Sequence, residues 1–298
     1  MAKKTLSIAP STIPLVDYTE KDHLMLIQKN KSVTGAASLI TGKIWAARNI
    51  LLTTTIYELR KKYAGSALGL LWAFLHPIMF LGIYLFLYLV VFNVRFPDMS
   101  TIQYVIYVFV GLVPYLGLME VVNTSVVTMR QNVHLVKNVI MPIELIPFRT
   151  MLVGLTAQAA GLLLIFSIIL SFGELSSNII FFPLVLFFFI VLLAGLSWLL
   201  GALGVLLPDL STFTGLLMLL LLFLSPVAFR PEMVPEALQA VLYFNPVHYI
   251  IASFRWSLIS GTTISIWELA IFGIMSTTTF FIGAWFFVRL KGAIVDYE

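Results

Sequence analysis

The sequence predicts an all-α membrane protein: six transmembrane helices, an N-terminal amphipathic interface helix, and an external re-entrant hairpin before the last span. Three observations carry this reading. From Tyr63 to Phe92 the chain has no Asp, Glu, Lys or Arg, a run longer than the roughly 20 helical residues that cross a ~30 Å hydrocarbon core. Only 11% of the 298 residues are charged and 60% are hydrophobic, with a mean hydropathy of +1.01. A soluble domain carries about 25% charged residues, so this chain cannot cover its own surface with polar groups. Finally, Lys and Arg gather at the ends of apolar runs, as in Arg60-Lys61-Lys62 before the first run and Arg289 with Lys291 after the last.

Residues 1–43 read as a cytoplasmic tail. They lack an apolar core of signal-peptide length and are interrupted by Pro10, Pro14 and many charges. Residues 44–298 read as one transmembrane domain. Trp45, Leu52, Ile56, Leu59 and Tyr63 recur at helical spacing and predict an amphipathic helix over 44–62, lying in the membrane interface. The spans are expected at about 70–92, 103–128, 150–172, 179–207, 212–229 and 266–288. Pro77 and Pro114 fall inside the first two, and Pro208-Asp209 ends the fourth. Between the last two spans, Asn245-Pro246 separates two apolar pieces, about 236–244 and 247–259. Each is too short to cross, which predicts a re-entrant or interfacial hairpin.

With the N-terminus inside, fifteen of the eighteen Lys and Arg residues fall on inner segments, and only Arg95, Arg230 and Arg255 fall outside. The positive-inside rule therefore predicts two cytoplasmic termini in a multi-pass membrane protein. The net charge of +4 is explained by this anchoring without invoking nucleic acid. No cysteine is present, and the four histidines show no ligand spacing, so no metal site is expected. Acidic residues are too scattered for a membrane-embedded transferase, and the scarcity of intramembrane charge argues against a secondary transporter.

Tyr63-Ala64-Gly65-Ser66-Ala67-Leu68-Gly69-Leu70-Leu71-Trp72, followed by His76-Pro77, resembles the entrance to the first span of ABC-2 type permeases, in particular those exporting O-antigen, capsule or teichoic acid. Asn132–Asn138 with Met141-Pro142, and Asn245-Pro246 with Phe254-Arg255, resemble later parts of the same family. Many relatives have Asn where this chain has His76. The resemblance implies the permease subunit of an ATP-driven exporter of a lipid-linked polysaccharide. It implies a homodimer of permeases working with two ATP-binding cassette subunits. The chain would be no enzyme by itself, since ATP and Mg would be held by the partner chain. The sequence agrees on one point: it has no G-x-x-x-x-G-K-[ST] motif. The alternative is an ABC-2 exporter of a drug or small lipid.

Candidate working residues follow. By similarity to the family, the loop after span 2 is the ATPase-coupling element, with Arg130, Asn132, His134, Leu135, Lys137 and Asn138. Its apolar residues beside cations suit a helix-in-groove contact, and an ordinary positive-inside loop is the other reading. Phe80, Tyr84 and Tyr88 form a stripe on span 1. With Tyr104, Tyr107 and Tyr115 of span 2 they could line a glycan path or serve in packing. Arg60, Lys61 and Lys62 could receive a lipid pyrophosphate at the entrance or only anchor the span. Arg230, Asn245, Pro246 and Arg255 belong to the hairpin that, by resemblance, gates the outer mouth, against the reading of a solvated loop with local ion pairs. Glu120 is an ionisable residue in a span with Arg149 as a candidate partner, or simply a residue near the interface.

Overall fold

A computed structural model describes residues 32–93, 98–132 and 142–297. Within them the chain is helical, and the only β pairing is one isolated antiparallel bridge, Leu175 to Ile259. In chain order the helices are α1 (Val33–Ala46), α2 (Arg48–Tyr63), α3 (Trp72–Leu85), α4 (Thr101–Gln131), α5 (Leu145–Phe172), α6 (Phe182–Leu206), α7 (Leu210–Leu224), α8 (Glu236–Phe244), α9 (Pro246–Leu258) and α10 (Ile266–Tyr297). Short 3₁₀ turns precede α3 and α6, and a π-helical stretch, Phe86–Val91, extends α3.

Five described segments have the length and apolar character to cross a membrane: Gly69–Val91, Thr101–Gln131, Leu145–Phe172, Ser177–Leu206 and Ile266–Gly292. They match the expected spans 1, 2, 3, 4 and 6 to within a few residues. The expected span over 212–229 differs. Its helix, α7, has only 15 residues, or ~22 Å at 1.5 Å per residue, and the chain leaves the helix at Ser225-Pro226. The single amphipathic helix expected over 44–62 also differs. A break at Ala47 divides that region between α1 and α2, so α1 runs across the expected boundary between residues 43 and 44.

Helix α4 is the hub. Of its most apolar stretch 83% is buried, against 17% for the first span, and α3, α5, α6, α7 and α9 all pack on it. A capping box starts it: Ser100 Oγ accepts from the Gln103 amide while the Gln103 side chain accepts from the Ser100 amide. Helix α10 packs along α6, and α1 packs on α10 through the buried residues Ala36, Ala37 and Ile40. Between helices in lipid, close packing replaces the hydrophobic drive, so small residues mark the crossings. At the α6–α10 crossing the backbone of Gly195 meets Gly283, and at the α6–α4 crossing Gly204 rests on the carbonyl of Val126. A side chain at any of these glycines would collide with backbone.

Gly283→Val should therefore force α10 away from α6 and cost on the order of 2 kcal/mol. Gly42→Ala, in α1 where the space around the glycine is open, should be neutral or stabilise by up to about 1 kcal/mol through helix propensity. Thermal unfolding of the two variants in the same detergent checks the contrast.

Candidate functional site

The end of α7 is where the sequence leaves helical structure between packed helices. Ser225-Pro226 stops the helix, because Pro226 has no N–H to continue the ladder. The carbonyls beyond it would be orphaned in a low-dielectric bundle, at a cost of several kcal/mol each. Four consecutive ones are met by side chains. Arg255 donates from Nη1 to the carbonyl of Pro226 at 2.7 Å and from Nη2 to that of Val227 at 2.6 Å. The Tyr104 hydroxyl donates to Ala228 at 2.9 Å and the Tyr107 hydroxyl to Phe229 at 3.3 Å. Within α7 itself, the Tyr115 hydroxyl donates to the carbonyl of Met218, and Tyr84 donates to that of Leu222 at 3.4 Å. One arginine and four tyrosines thus bind α7 and its non-helical extension to α3, α4 and α9.

Local sequence positions each donor. Tyr104, Tyr107 and Tyr115 fall on one side of α4, at spacings of three and eight. Arg255 sits in the last turn of α9, its guanidinium 3.4 Å above the Tyr107 ring, and its Nε donates to the Tyr107 carbonyl at 3.2 Å. Gly111 of α4 leaves the space it occupies. Asn245 fixes the other end of α9. Its side chain accepts from the Val247 amide at 2.9 Å as an N-cap and donates to Ser225 Oγ at 2.9 Å. Pro246 follows at the first helical position, where a missing N–H costs nothing. Arg230 pairs with Asp98 at 2.9 Å, which holds the Asp98 carboxyl below its usual range, chiefly through the Arg230 hydrogen bond. The four residues expected at the outer gate are thus gathered around Ser225–Arg230. Helix α9 is no solvated loop, since it is buried along nearly its whole length.

Four of the six aromatics expected on a glycan path, Tyr84, Tyr104, Tyr107 and Tyr115, are buried with their hydroxyls on these carbonyls. Phe80 and Tyr88 are half-buried. Tyr88 stacks on Tyr84, and Phe80 packs on His76.

At the opposite end of the bundle, α1 and α2 are tied down by three ion pairs. Lys43 reaches Glu144 at 2.6 Å, Glu58 reaches Arg149 at 3.6 Å, and Lys62 reaches Glu120 at 2.8 Å. Glu120 thus takes Lys62 rather than Arg149 as its partner. Arg60 and Lys61 are exposed beside it. Arg149 is buried, and its Nη2 donates to Asn132 Oδ1 at 2.7 Å. It therefore joins α2 to the root of the loop expected to couple to an ATPase. Asn132 Nδ2 donates in turn to the Thr128 carbonyl at 2.8 Å, and Arg130 donates to Pro208 at 3.3 Å. His134, Leu135, Lys137 and Asn138 lie outside the described residues.

Glu144 was not singled out by sequence, although a carboxylate one residue before a span is an ionisable group at low dielectric. It also accepts from Lys291 of α10 at 3.3 Å, and its backbone carbonyl accepts from Trp198 Nε1 at 3.0 Å. Burial alone would raise its carboxyl. The Lys43 hydrogen bond and charge, with Lys291 behind them, outweigh that and hold it below the ordinary value.

Residues 51–259 match the sequence profile of the ABC-2 type transporters. The chain belongs to that family. Among its relatives are the O-antigen export system permease protein RfbA of Klebsiella pneumoniae, 26% identical over 72% of this chain and 82% of that protein, and RfbA of Myxococcus xanthus, 24% identical over 72% and 81%. The polysialic acid transport protein KpsM of Escherichia coli is 26% identical over 76% of this chain and 87% of its own. In this ABC-2 type chain the matched region takes in the carbonyl clamp around Ser225–Arg230 and stops short of α1 and α10. The Glu144 cluster is therefore where the flanking helices join the family region.

Two outcomes follow from these bonds. Arg255→Leu leaves two buried carbonyls unpaired and should cost about 3 kcal/mol, with Tyr104→Phe costing about 1 kcal/mol. Thermal unfolding and protease sensitivity across Ser225–Arg230 measure both. Glu144 has a folded-state pKa below its unfolded one, so its contribution is full above the unfolded value, near 4.5, and is lost as pH falls through the lower folded value. Wild type should lose stability over that acidic window relative to Glu144→Gln, and unfolding midpoints measured across pH show the difference.

Proposed function

We propose that the chain is the transmembrane permease subunit of an ATP-driven exporter that moves a lipid-linked polysaccharide, of O-antigen, capsule or teichoic acid type, across the bacterial inner membrane. One observation carries this: relatives named for O-antigen export and polysialic acid transport align over 72–76% of the chain and 81–87% of their own lengths. Two such chains form the pore, and two separate ATP-binding cassette subunits hold ATP and Mg and dock on the loop after Arg130.

The geometry supports the topology of this reading. In this reading helix α7 and the non-helical Ser225–Phe229 that follows it together make the sixth crossing. On the same reading α9 lies at the outer side, α1 and α2 lie at the cytoplasmic side, and both termini are in the cytoplasm. Trp45, Leu52, Ile56 and Tyr57 are exposed, which suits a helix pair lying in the interface. Arg60 and Lys61 are then placed to receive a lipid pyrophosphate. The exposed apolar faces of α3, with Met79, Ile83 and Phe86, and of α7, with Leu216, Leu220 and Phe223, offer the contact for the second permease. The half-buried Phe80 and Tyr88 remain the aromatics open to a glycan.

Deleting the chain in its native host should abolish the surface polymer and leave the glycolipid inside the cell. The tagged chain, extracted gently, should carry a stoichiometric ATP-binding subunit. Normal surface polymer in the deletion strain would refute the reading.

A further inference from the structure

The chain leaves α4 at Asn132, and the described fold resumes at Pro142, two residues before Glu144 and the start of α5. Each of these two ends is held through one atom that two partners share. At the first end, Arg149 Nη2 donates to Asn132 Oδ1 at 2.7 Å and lies 3.6 Å from Glu58 Oε1 of α2. At the second, Glu144 Oε1 accepts from Lys43 of α1 at 2.6 Å and from Lys291 of α10 at 3.3 Å. Arg149 and Glu144 are both buried. A buried charge that loses its partner is left uncompensated, so neither can release one at low cost. Lys43 and Glu58, by contrast, are partly exposed and belong to the helices outside the main bundle.

Helix α1 is packed on α10, but α2 has far less to fix it. Among the described residues α2 buries one apolar side chain, Leu51, while Leu52, Ile56 and Tyr57 are exposed. It rests on α5, and a helix with so little packing takes its register from its ion pairs. A shift of Glu58 draws on the same nitrogen that holds Asn132, so α2 and the end of α4 are geared together. Glu144 ties the start of α5 to α1 in the same way.

We infer that Arg149 and Glu144 are positioning residues. Together they hold both ends of the segment between Asn132 and Pro142 in a placement set by α1 and α2, and so decide how that segment is presented to the ATP-binding subunit. The presentation role rests on the exporter reading, and the fastening of the two ends does not.

Hydrogen exchange of the full chain in lipid nanodiscs tests the fastening. Glu58→Gln should speed exchange of the Asn132 amide severalfold and leave the amides of Leu145 and Ile146, which bond to Pro142 and Ile143, unchanged. Lys43→Met should do the reverse, and Lys43→Arg, which keeps the charge, should match wild type. Both altered side chains are partly exposed, so these variants keep the bundle core. Equal exchange in wild type, Glu58→Gln and Lys43→Met would overturn the inference. In the assembled complex, Glu58→Gln and Lys43→Met should each weaken binding of the ATP-binding subunit severalfold, with Lys43→Arg again like wild type. Faster exchange with unchanged affinity would show that the pairs only stabilise the fold, and would overturn the positioning role. A wild-type chain that binds no such subunit would refute the exporter reading and the presentation role with it, a result distinct from unchanged exchange.

Discussion

A carbonyl that leaves a helix between membrane-embedded helices has no water to turn to, and this chain breaks a helix in such a place. The break at Ser225-Pro226 shortens α7 and frees the carbonyls of Pro226, Val227, Ala228 and Phe229. Arg255, Tyr104 and Tyr107 supply a donor to each. Much of the architecture follows from that need. Helix α4 must present tyrosines on one side, α9 must lie flat against α4 so that Arg255 reaches inward, and Gly111 must stay small beneath the guanidinium. An arginine can be buried this deeply because carbonyl dipoles and an aromatic face take over the work of its hydration.

The opposite end depends on charges of a different kind. Lys43, Glu58 and Lys62 lie on the helices that lead into the first span, and each finds a partner on α4 or on the first turns of α5 or just before them. Glu144 gathers α1, α6 and α10 on one residue. Arg149 gathers α2 and the base of the loop that follows α4. The two ends are thus built on contrasting principles: side-chain donors satisfying backbone at one, ion pairs fastening peripheral helices at the other. The buried Arg149 thus links α2 with Asn132 at the end of α4, and the basic end of α2 is in turn fixed to α4 by Lys62 and Glu120.

Between the two ends α6 is held to its neighbours by close backbone packing. Glycines at 195, 204 and 283 let α6 approach α10 and α4 to backbone distance, which is how apolar helices gain attraction when the surrounding lipid is as apolar as they are. Gly117 is a glycine of another sort. It makes room for the amide of Gln158 instead of a neighbouring backbone.

Five membrane-spanning segments, their limits and the run of charge were readable from the chain, because spanning a bilayer demands a contiguous apolar run and a basic flank, both of which are local properties. The family was readable from Tyr63–Trp72 and the Asn245-Pro246 pair for the same reason. Partners were not. Tyr84, Tyr104, Tyr107 and Tyr115 announce aromatic rings by spacing, but spacing does not say that their hydroxyls end on carbonyls more than a hundred residues away. Glu120 and Arg149 looked like a pair and take Lys62 and Glu58 instead, and Glu144 drew no notice. The sequence by itself determined which segments are apolar enough to lie in lipid, since hydrocarbon sorts residues one at a time by transfer energy. The tertiary structure alone decided how α7 ends and which carbonyls Arg255 serves, since a hydrogen bond exists only where two distant groups are brought within about 3 Å.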